Sequence, residues 1–214
     1  NTILRKAILN ETVSIHIIDI RSHAKGNYKQ IDDTPFGGGS GMVLMVEPLI
    51  KAIESAFNIL GAEKAKTKVI YPSPQGELWD HKIVSENTKI DNIIFICGRY
   101  KGIDQRFIDE YVTHEYSLGD FVVSNGELGT IVMIDSIVRL LPGTMNNIDS
   151  ALSDSFANNL LDHPHYTKPR VINGMQVPEI LLEGNHEKIK LWRKSMAEDA
   201  TKSKRPDLWK KYNQ

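Results

Sequence analysis

The chain has one cysteine in 214 residues, Cys97, which excludes an internal disulfide and any cysteine-rich metal cluster. That scarcity fits a reducing, cytoplasmic setting. No apolar stretch approaches the roughly 18–20 residues that a membrane-spanning helix needs. No charged-then-apolar leader opens the chain, so neither a membrane nor export is expected. Excess charge of either sign is missing too: 26 Lys and Arg stand against 27 Asp and Glu, so bulk electrostatics announces no nucleic-acid partner. Repeats and low-complexity tracts are absent. What is there, 41% hydrophobic and 25% charged, suffices for a buried core and a second, smaller unit.

The charge that exists is unevenly placed. From Lys188 onward the chain carries Lys188, Lys190, Arg193, Lys194, Lys202, Lys204, Arg205, Lys210 and Lys211 against Glu198, Asp199 and Asp207. A solvated helical face explains this as well as a phosphate-contacting surface does.

Standard phosphate and nucleophile motifs also fail. Gly37-Gly38-Gly39-Ser40-Gly41 is followed by no Gly-Lys-Ser/Thr, so it is not a P-loop. Met42 stands where both the dinucleotide fingerprint and a nucleophile elbow on Ser40 require glycine. The run keeps its freedom of torsion, which suits a tight surface loop or the approach of a large planar ligand. His163 and His165 flank Pro164 in a stretch expected to be extended. With no cysteine or carboxylate read at metal spacing beside them, structural histidines are expected and no metal site.

Strand-like and helix-like segments alternate over the first two thirds. Val13–Ile20 reads as a buried strand, and a helix opened by Pro48 places Leu49, Ile53, Ala56, Phe57 and Leu60 at helical spacing before Gly61 stops it. Lys68–Tyr71 is a short strand running into a proline-broken loop, Tyr71–Gly76. Leu78–Asn87 suits a helix, and the apolar run Asn92–Cys97 suits a central parallel strand covered on both faces. A helix is expected at Gln105–Tyr111, strand pieces near Tyr116 and at Phe121–Val123, and an amphipathic helix at Glu127–Leu141. Such alternation implies an α/β parallel sheet with helices on both faces and ligands in the loops beyond the strands. Thr144–Asn159 has the composition of a linker, and Glu187–Ala200 is the best helix of a basic tail.

Three glycine-bearing loops, Tyr71–Gly76, Gly98–Gly102 and Ser117–Gly126, each follow a strand. Their convergence would make a pocket rich in backbone donors and acceptors, suited to a nucleoside-like ligand.

The run Asp32-Asp33-Thr34-Pro35-Phe36-Gly37-Gly38-Gly39-Ser40-Gly41-Met42 closely resembles a signature of the bacterial tRNA (guanine-N1)-methyltransferases, of the trefoil-knot superfamily. Further blocks agree in order and spacing: Ser73-Pro74-Gln75-Gly76, Cys97-Gly98-Arg99-Tyr100, Gly102-Ile103-Asp104, Gly119-Asp120-Phe121 and Gly126-Glu127-Leu128. Asp154-Ser155-Phe156, Leu161-Asp162-His163-Pro164-His165-Tyr166-Thr167 and Gly184-Asn185-His186 continue the series. The resemblance covers almost the whole chain. The family usually carries one more strand ahead of the position of Asn1 and a longer helical tail, so natural sequence before Asn1 is expected.

The resemblance implies a deep trefoil knot in a methyltransferase domain over residues 1–143, a flexible linker over 144–160 and a small helical, basic tRNA-binding domain over 161–214. It implies transfer of a methyl group from S-adenosylmethionine to N1 of guanosine 37, immediately 3′ of the anticodon. The enzyme would be a homodimer with shared active sites, without DNA or membrane as partner. The donor would be held by Tyr71, Ser73, Pro74, Gly76, Gly98, Arg99, Tyr100, Gly102, Ser117, Leu118, Gly119, Asp120, Phe121, Val122, Ser124, Gly126 and Leu128.

By motif position Asp154 matches the family's general base, Arg139 the arginine that stabilises the guanine, and Asp162 a further carboxylate on the substrate side. The chemistry suits them, because guanine N1 must lose a proton and O6 gathers charge. Each also has a structural alternative: a helix cap for Asp154, a dipole partner for Arg139, a turn former for Asp162.

Three residues depart from the family. Lys101 stands where a glutamate, proposed to help hold magnesium, is common; a magnesium requirement is therefore implied by the family and opposed by this residue. Asn125 replaces a usual glycine, a change its tolerance of left-handed torsions allows, and Pro72 replaces a usual leucine. Competing readings are a knotted methyltransferase acting on ribose or another base, a non-catalytic RNA-binding protein, and a nucleotide hydrolase. Asp154 speaks against ribose chemistry, Asp154 and Arg139 against loss of catalysis, and the missing P-loop lysine against a hydrolase.

Overall fold

In a computed structural model of the protein, residues 2–61, 63–144 and 154–214 are described. The expected linker therefore falls largely, at 145–153, outside the described residues. By its contacts the chain divides into two units, Asn1–Asn146 and Asn147–Gln214.

The first unit is built on a three-stranded parallel sheet. Its strands are β3 (Thr67–Leu78), β4 (Asn92–Phe95) and β5 (His114–Ser117), in the order β4-β3-β5. Register runs Thr67↔Asn92 to Ile70↔Phe95 on one side of β3, and Ile70↔His114 to Leu78↔Ser117 on the other. Alternation along β3 sorts its side chains onto two faces. Val69 and Tyr71 pack with Leu49 and Ile53 of α2 (Val46–Leu60) and Phe107 of α4 (Gln105–Tyr111). Ile70 points the other way, into a cluster with Ile83 of α3 (His81–Asn87) and Met133 of α5 (Gly126–Leu140). Helices thus cover both faces of the sheet. Phe107 and Ile70 are completely buried, and each such side chain contributes about 1.5–3 kcal/mol.

Helix α2 is amphipathic as its spacing predicts, and Gly61 ends it in the left-handed region at φ 58°. Helix α4 matches its expected bounds, opened by Asp104, whose side chain accepts from the Arg106 N–H. Ahead of the sheet lie α1 (Thr2–Leu9) and a short antiparallel pair, β1 (Asp32–Asp33) and β2 (Val43–Leu44), which frames the glycine-rich loop.

Several expectations are corrected. Val13–Ile20 forms no strand: no described strand pairs with it, and Ile17 is 93% exposed. A β-branched run needs a neighbouring ladder to become a strand, and periodicity carries no information about that neighbour. The run Asn92–Cys97 supplies an edge strand among the described residues, ending at Phe95, while β3 is central. The supposed loop Tyr71–Gly76 belongs to β3 itself. Its two prolines coincide with a register shift between Pro72 and Glu77, where the ladder loses the N–H groups that proline lacks. Strand β3 takes Leu78, so α3 begins only at His81, capped by Asp80 accepting from the Ile83 N–H. Phe121–Val123 is not strand but exposed loop.

The second unit contains a small antiparallel pair, β6 (Val171–Ile172) and β7 (Met175–Gln176), then α6 (His186–Lys204) and α7 (Pro206–Tyr212). Helix α6 runs four residues past the expected end because Lys202 and Lys204 sit in its last turn, where cations complement the helix dipole. Among the described residues no helix is long and apolar enough to cross a membrane.

Candidate active site

The Tyr71–Pro74 stretch of β3 and the segments that follow β4 and β5 line one cavity of about 160 Å³, more than ten times the roughly 10–15 Å³ a water molecule needs. It is therefore of ligand size. The loops meet there backbone to backbone. The Gly126 N–H donates to the Gly98 carbonyl at 2.8 Å, and a Cβ on Gly126 would lie 2.6 Å from the Gly98 nitrogen. A Cβ on Gly98 would sit 2.8 Å from the ring of Tyr71. Gly76 is excluded from substitution in the same way, because its Cβ would collide with the Glu115–Tyr116 peptide.

Each wall has a local cause. The 98–102 loop is tied to β2 by three hydrogen bonds of 3.0 Å: Leu44 N–H to the Gly102 carbonyl, Lys101 N–H to the Met42 carbonyl and Asp104 N–H to the Leu44 carbonyl. Tyr100 takes φ 61°, an uncommon torsion for a bulky residue, and lies half exposed at the opening. The Ser117 hydroxyl lies 3.1 Å from both the N–H and the carbonyl of Gly119, closing the turn after β5. Asn125 caps α5, its side chain accepting from the Leu128 N–H, with φ −160°. Asparagine is thus useful here as a cap, not for a left-handed torsion. The positive end of the α5 dipole meets the cavity at Gly126.

Of the residues expected to hold the donor, Tyr71, Ser73, Pro74, Gly98, Arg99, Tyr100, Gly102, Ser117, Leu118, Phe121, Val122, Ser124 and Gly126 line this cavity. Gly76, Gly119, Asp120 and Leu128 do not: Gly76 lies in β3 against the Glu115–Tyr116 peptide and Gly119 in the turn after β5, while Asp120 and Leu128 are exposed. Pro72, Lys101, Val123 and Asn125, which lie inside the three loops, join the lining. Tyr116 and Gly129 were not foreseen. Gly129 lies one helical turn after Gly126 with Pro72 against it, a spacing that could have betrayed it. The Gly37–Gly41 run lies outside the lining; only Gly41 has a close neighbour, the side chain of Lys101.

Cations dominate the charged groups of the lining. Arg99 is fixed by Glu127, with Nη2 and Nε at 2.7 and 3.2 Å from one carboxylate oxygen, a pairing that raises the guanidinium's pKa. The other Glu127 oxygen is buried without a hydrogen-bond partner among the described residues. Burial pushes the Tyr71 phenol up, helped by the charge of Glu115, so it stays a neutral donor. Burial likewise pushes the Cys97 thiol up, although Thr130 at 3.4 Å works against this. A protonated thiol is a poor nucleophile, so nothing favours a covalent cysteine route.

The three residues expected to do chemistry are distributed over both units. Arg139 is exposed in the last turn of α5. Asp154, half buried, is followed by a turn over 155–158 rather than by the helix its capping alternative requires. Asp162 accepts from the His163 N–H at 2.7 Å and lies 2.8 Å from His165 Nε2. A carboxylate therefore does accompany the two histidines, correcting the expectation that none stood at metal spacing. The stretch around Asp162 forms no assigned turn, and its contact with His165 is the local role the structure gives it.

Along α6 and α7 the basic residues named above are exposed, apart from half-buried Arg205. Lys188, Lys194 and Arg205 are paired with Glu183, Glu198 and Asp207, and the Arg205 guanidinium lowers Asp207 to about 2. Among the described residues no ion pair engages Lys190, Arg193, Lys202, Lys204, Lys210 or Lys211. Their charge is available to an anionic partner.

The family described as tRNA (Guanine-1)-methyltransferase TrmD matches residues 1–211. The chain belongs to this family. Among curated relatives, the tRNA (guanine-N(1)-)-methyltransferase of Listeria monocytogenes (strain EGD-e) is 42% identical over 212 residues, covering 99% of this chain and 86% of its own length. Proteins of the same name from Christiangramia forsetii and Buchnera aphidicola subsp. Schizaphis graminum are 47% and 48% identical over 207 and 205 residues. They cover 97% and 96% of this chain, and 90% and 77% of their own lengths.

For this family member the state of Cys97 yields a direct expectation. Cys97→Ser should leave methyl transfer within about twofold of the parent, since no thiolate attacks. A hundredfold loss with donor binding intact would require a covalent cysteine step.

Proposed function

We propose that the chain transfers the methyl group of S-adenosylmethionine to N1 of guanosine 37 in tRNA. The observation that carries this reading is the meeting of the Tyr71–Pro74 stretch of β3 with the segments after β4 and β5 in one cavity, in a chain spanned by a tRNA (guanine-1)-methyltransferase family. The cavity suits the donor: Gly98, Gly102 and Gly126 leave part of its wall free of side chains, Tyr71 and Leu118 give it apolar surface, and Arg99 offers a cation for a carboxylate. When bound, S-adenosylmethionine supplies a methyl group already activated on a sulfonium.

The protein's remaining tasks are placement and proton removal. On this reading Asp154 accepts the proton of guanine N1, and Arg139 offset the charge gathering on O6 by a forked, guanidinium-type contact. Asp162 acts on the substrate side, and the unpaired cations of α6 and α7 hold tRNA phosphates. The methyl donor lies within a trefoil knot formed by the first domain, with a linker before a tRNA-binding domain from residue 161. Work on tRNA places the enzyme in the cytoplasm.

Magnesium fits the cavity poorly. The ion favours hard oxygen ligands, whereas the lining holds no carboxylate and carries both Arg99 and Lys101. No step here depends on it.

A homodimer with shared sites is supported by α5. Leu128, Ile131 and Val132 form an exposed stripe at helical spacing, beside exposed Phe121 and Val122, and apolar patches of this kind seek a partner surface. Ile131→Glu should shift the protein from dimer to monomer in sedimentation analysis and abolish transfer; an intact dimer would move the interface elsewhere.

Asp154→Asn should bind the donor as the parent does and lose transfer by roughly 10²- to 10⁴-fold, the usual worth of a positioned base. Undiminished transfer would remove Asp154 from that role.

A further inference from the structure

Asp162, His163 and His165 are not among the residues that line the cavity, and they share a short stretch around Pro164. One ligand atom from each lies within 4.8 Å of the other two. The stretch is held from below. The Leu161 N–H donates to the hydroxyl of the fully buried Thr201 on α6 at 2.8 Å, and the Asp162 N–H donates to the Ser155 hydroxyl at 2.9 Å. Proline between the histidines fixes one torsion and removes an N–H, so the two rings approach to 4.4 Å between centroids.

The decisive detail is the orientation of His163. Its Nδ1 lies 3.1 Å from the Pro164 carbonyl oxygen, which can only accept, so this nitrogen carries the proton. Nε2 lies 3.7 Å from an Asp162 oxygen, and the His163 side chain is only 17% exposed. A cation between them, whether a proton on Nε2 or a metal ion, favours this approach. Ligands about 2.0–2.1 Å from a tetrahedral ion lie about 3.4 Å apart, close to the separation seen. A main-chain carbonyl on Nδ1 with Nε2 turned to the ion is also the arrangement that orients histidines at metal centres. The second Asp162 oxygen reaches His165 Nε2 at 2.8 Å, and His165 is largely exposed, which leaves the site open to solvent.

We infer that Asp162, His163 and His165 form a binding site for a borderline divalent cation such as Zn²⁺ or Co²⁺, with at least one coordination position open to an outside ligand. Two imidazoles and one carboxylate favour such ions over magnesium, which prefers oxygen alone. The site shares Asp162 with the substrate side of the methyl-transfer reading, but cation binding is measured without that reaction.

The test is calorimetric titration of the tag-free full chain with Zn²⁺, Co²⁺ and Mg²⁺, with cobalt absorption as an independent readout of geometry. We expect one equivalent of zinc, a cobalt spectrum of low coordination number, and no heat from magnesium at the same concentrations. His163→Asn keeps a donor for the Pro164 carbonyl while deleting the ligand nitrogen. It should weaken zinc at least as much as the roughly 10- to 100-fold that loss of a supporting group costs. His165→Asn should do likewise, with both variants folded by thermal melting. Zinc binding that is absent, or that persists unchanged in both variants, would overturn the site.

Discussion

The site depends on one close approach of backbone to backbone. Gly126 opens α5 directly against Gly98 at the end of β4, joined by a 2.8 Å hydrogen bond and with no room for a side chain on either. Tyr71, from the central strand, fills the space beside Gly98. The three loops are therefore pinned to one another by van der Waals limits rather than by long side chains, and pinning of this kind tolerates little error. From it follow the position of the α5 N-terminus, the fixing of Arg99 by Glu127 and the burial that keeps Cys97 protonated. A ligand entering this cavity meets a wall that has already lost its freedom, which lowers the cost of ordering it on binding.

Much of this was legible in the residues. Gly61 is a stop signal whose mechanism is local, and the helix it bounds ends where it indicates; the caps Asp80 and Asp104 became visible only in the structure. The glycines at 98, 102 and 126 announced loops that had to come close, and the cavity gathers them. Order within the sheet was not legible. Asn92–Cys97 is more apolar than β3, yet β3 is central, because its neighbours on both sides are supplied by distant segments. Pro72 and Pro74 looked like the end of a strand, but proline's extended torsion let β3 continue past a shift of register. Val13–Ile20 failed for the converse reason: apolar, β-branched residues without a described partner strand.

Charge tells a similar story at two scales. The composition sums nearly to zero, yet six cations on α6 and α7 remain outside any described ion pair while their neighbours are neutralised locally. Near the cavity, Lys101 occupies the place of a carboxylate common in the family, and its aliphatic stem lies on Gly41. The histidines at 163 and 165 looked merely structural in the sequence, since an adjacent aspartate is not an obvious third ligand. Only the folded stretch around Pro164 brings its two oxygens near both rings.

The central claim is the identity of the reaction, and labelled methyl transfer tests it most directly. Unmodified tRNA transcripts carrying guanosine or adenosine immediately 3′ of the anticodon would be incubated with the protein and labelled S-adenosylmethionine, and the product nucleosides separated. The account predicts 1-methylguanosine from the guanosine transcript alone. A different methylated nucleoside, equal labelling of both transcripts, or no product from a protein that demonstrably binds the donor would contradict it.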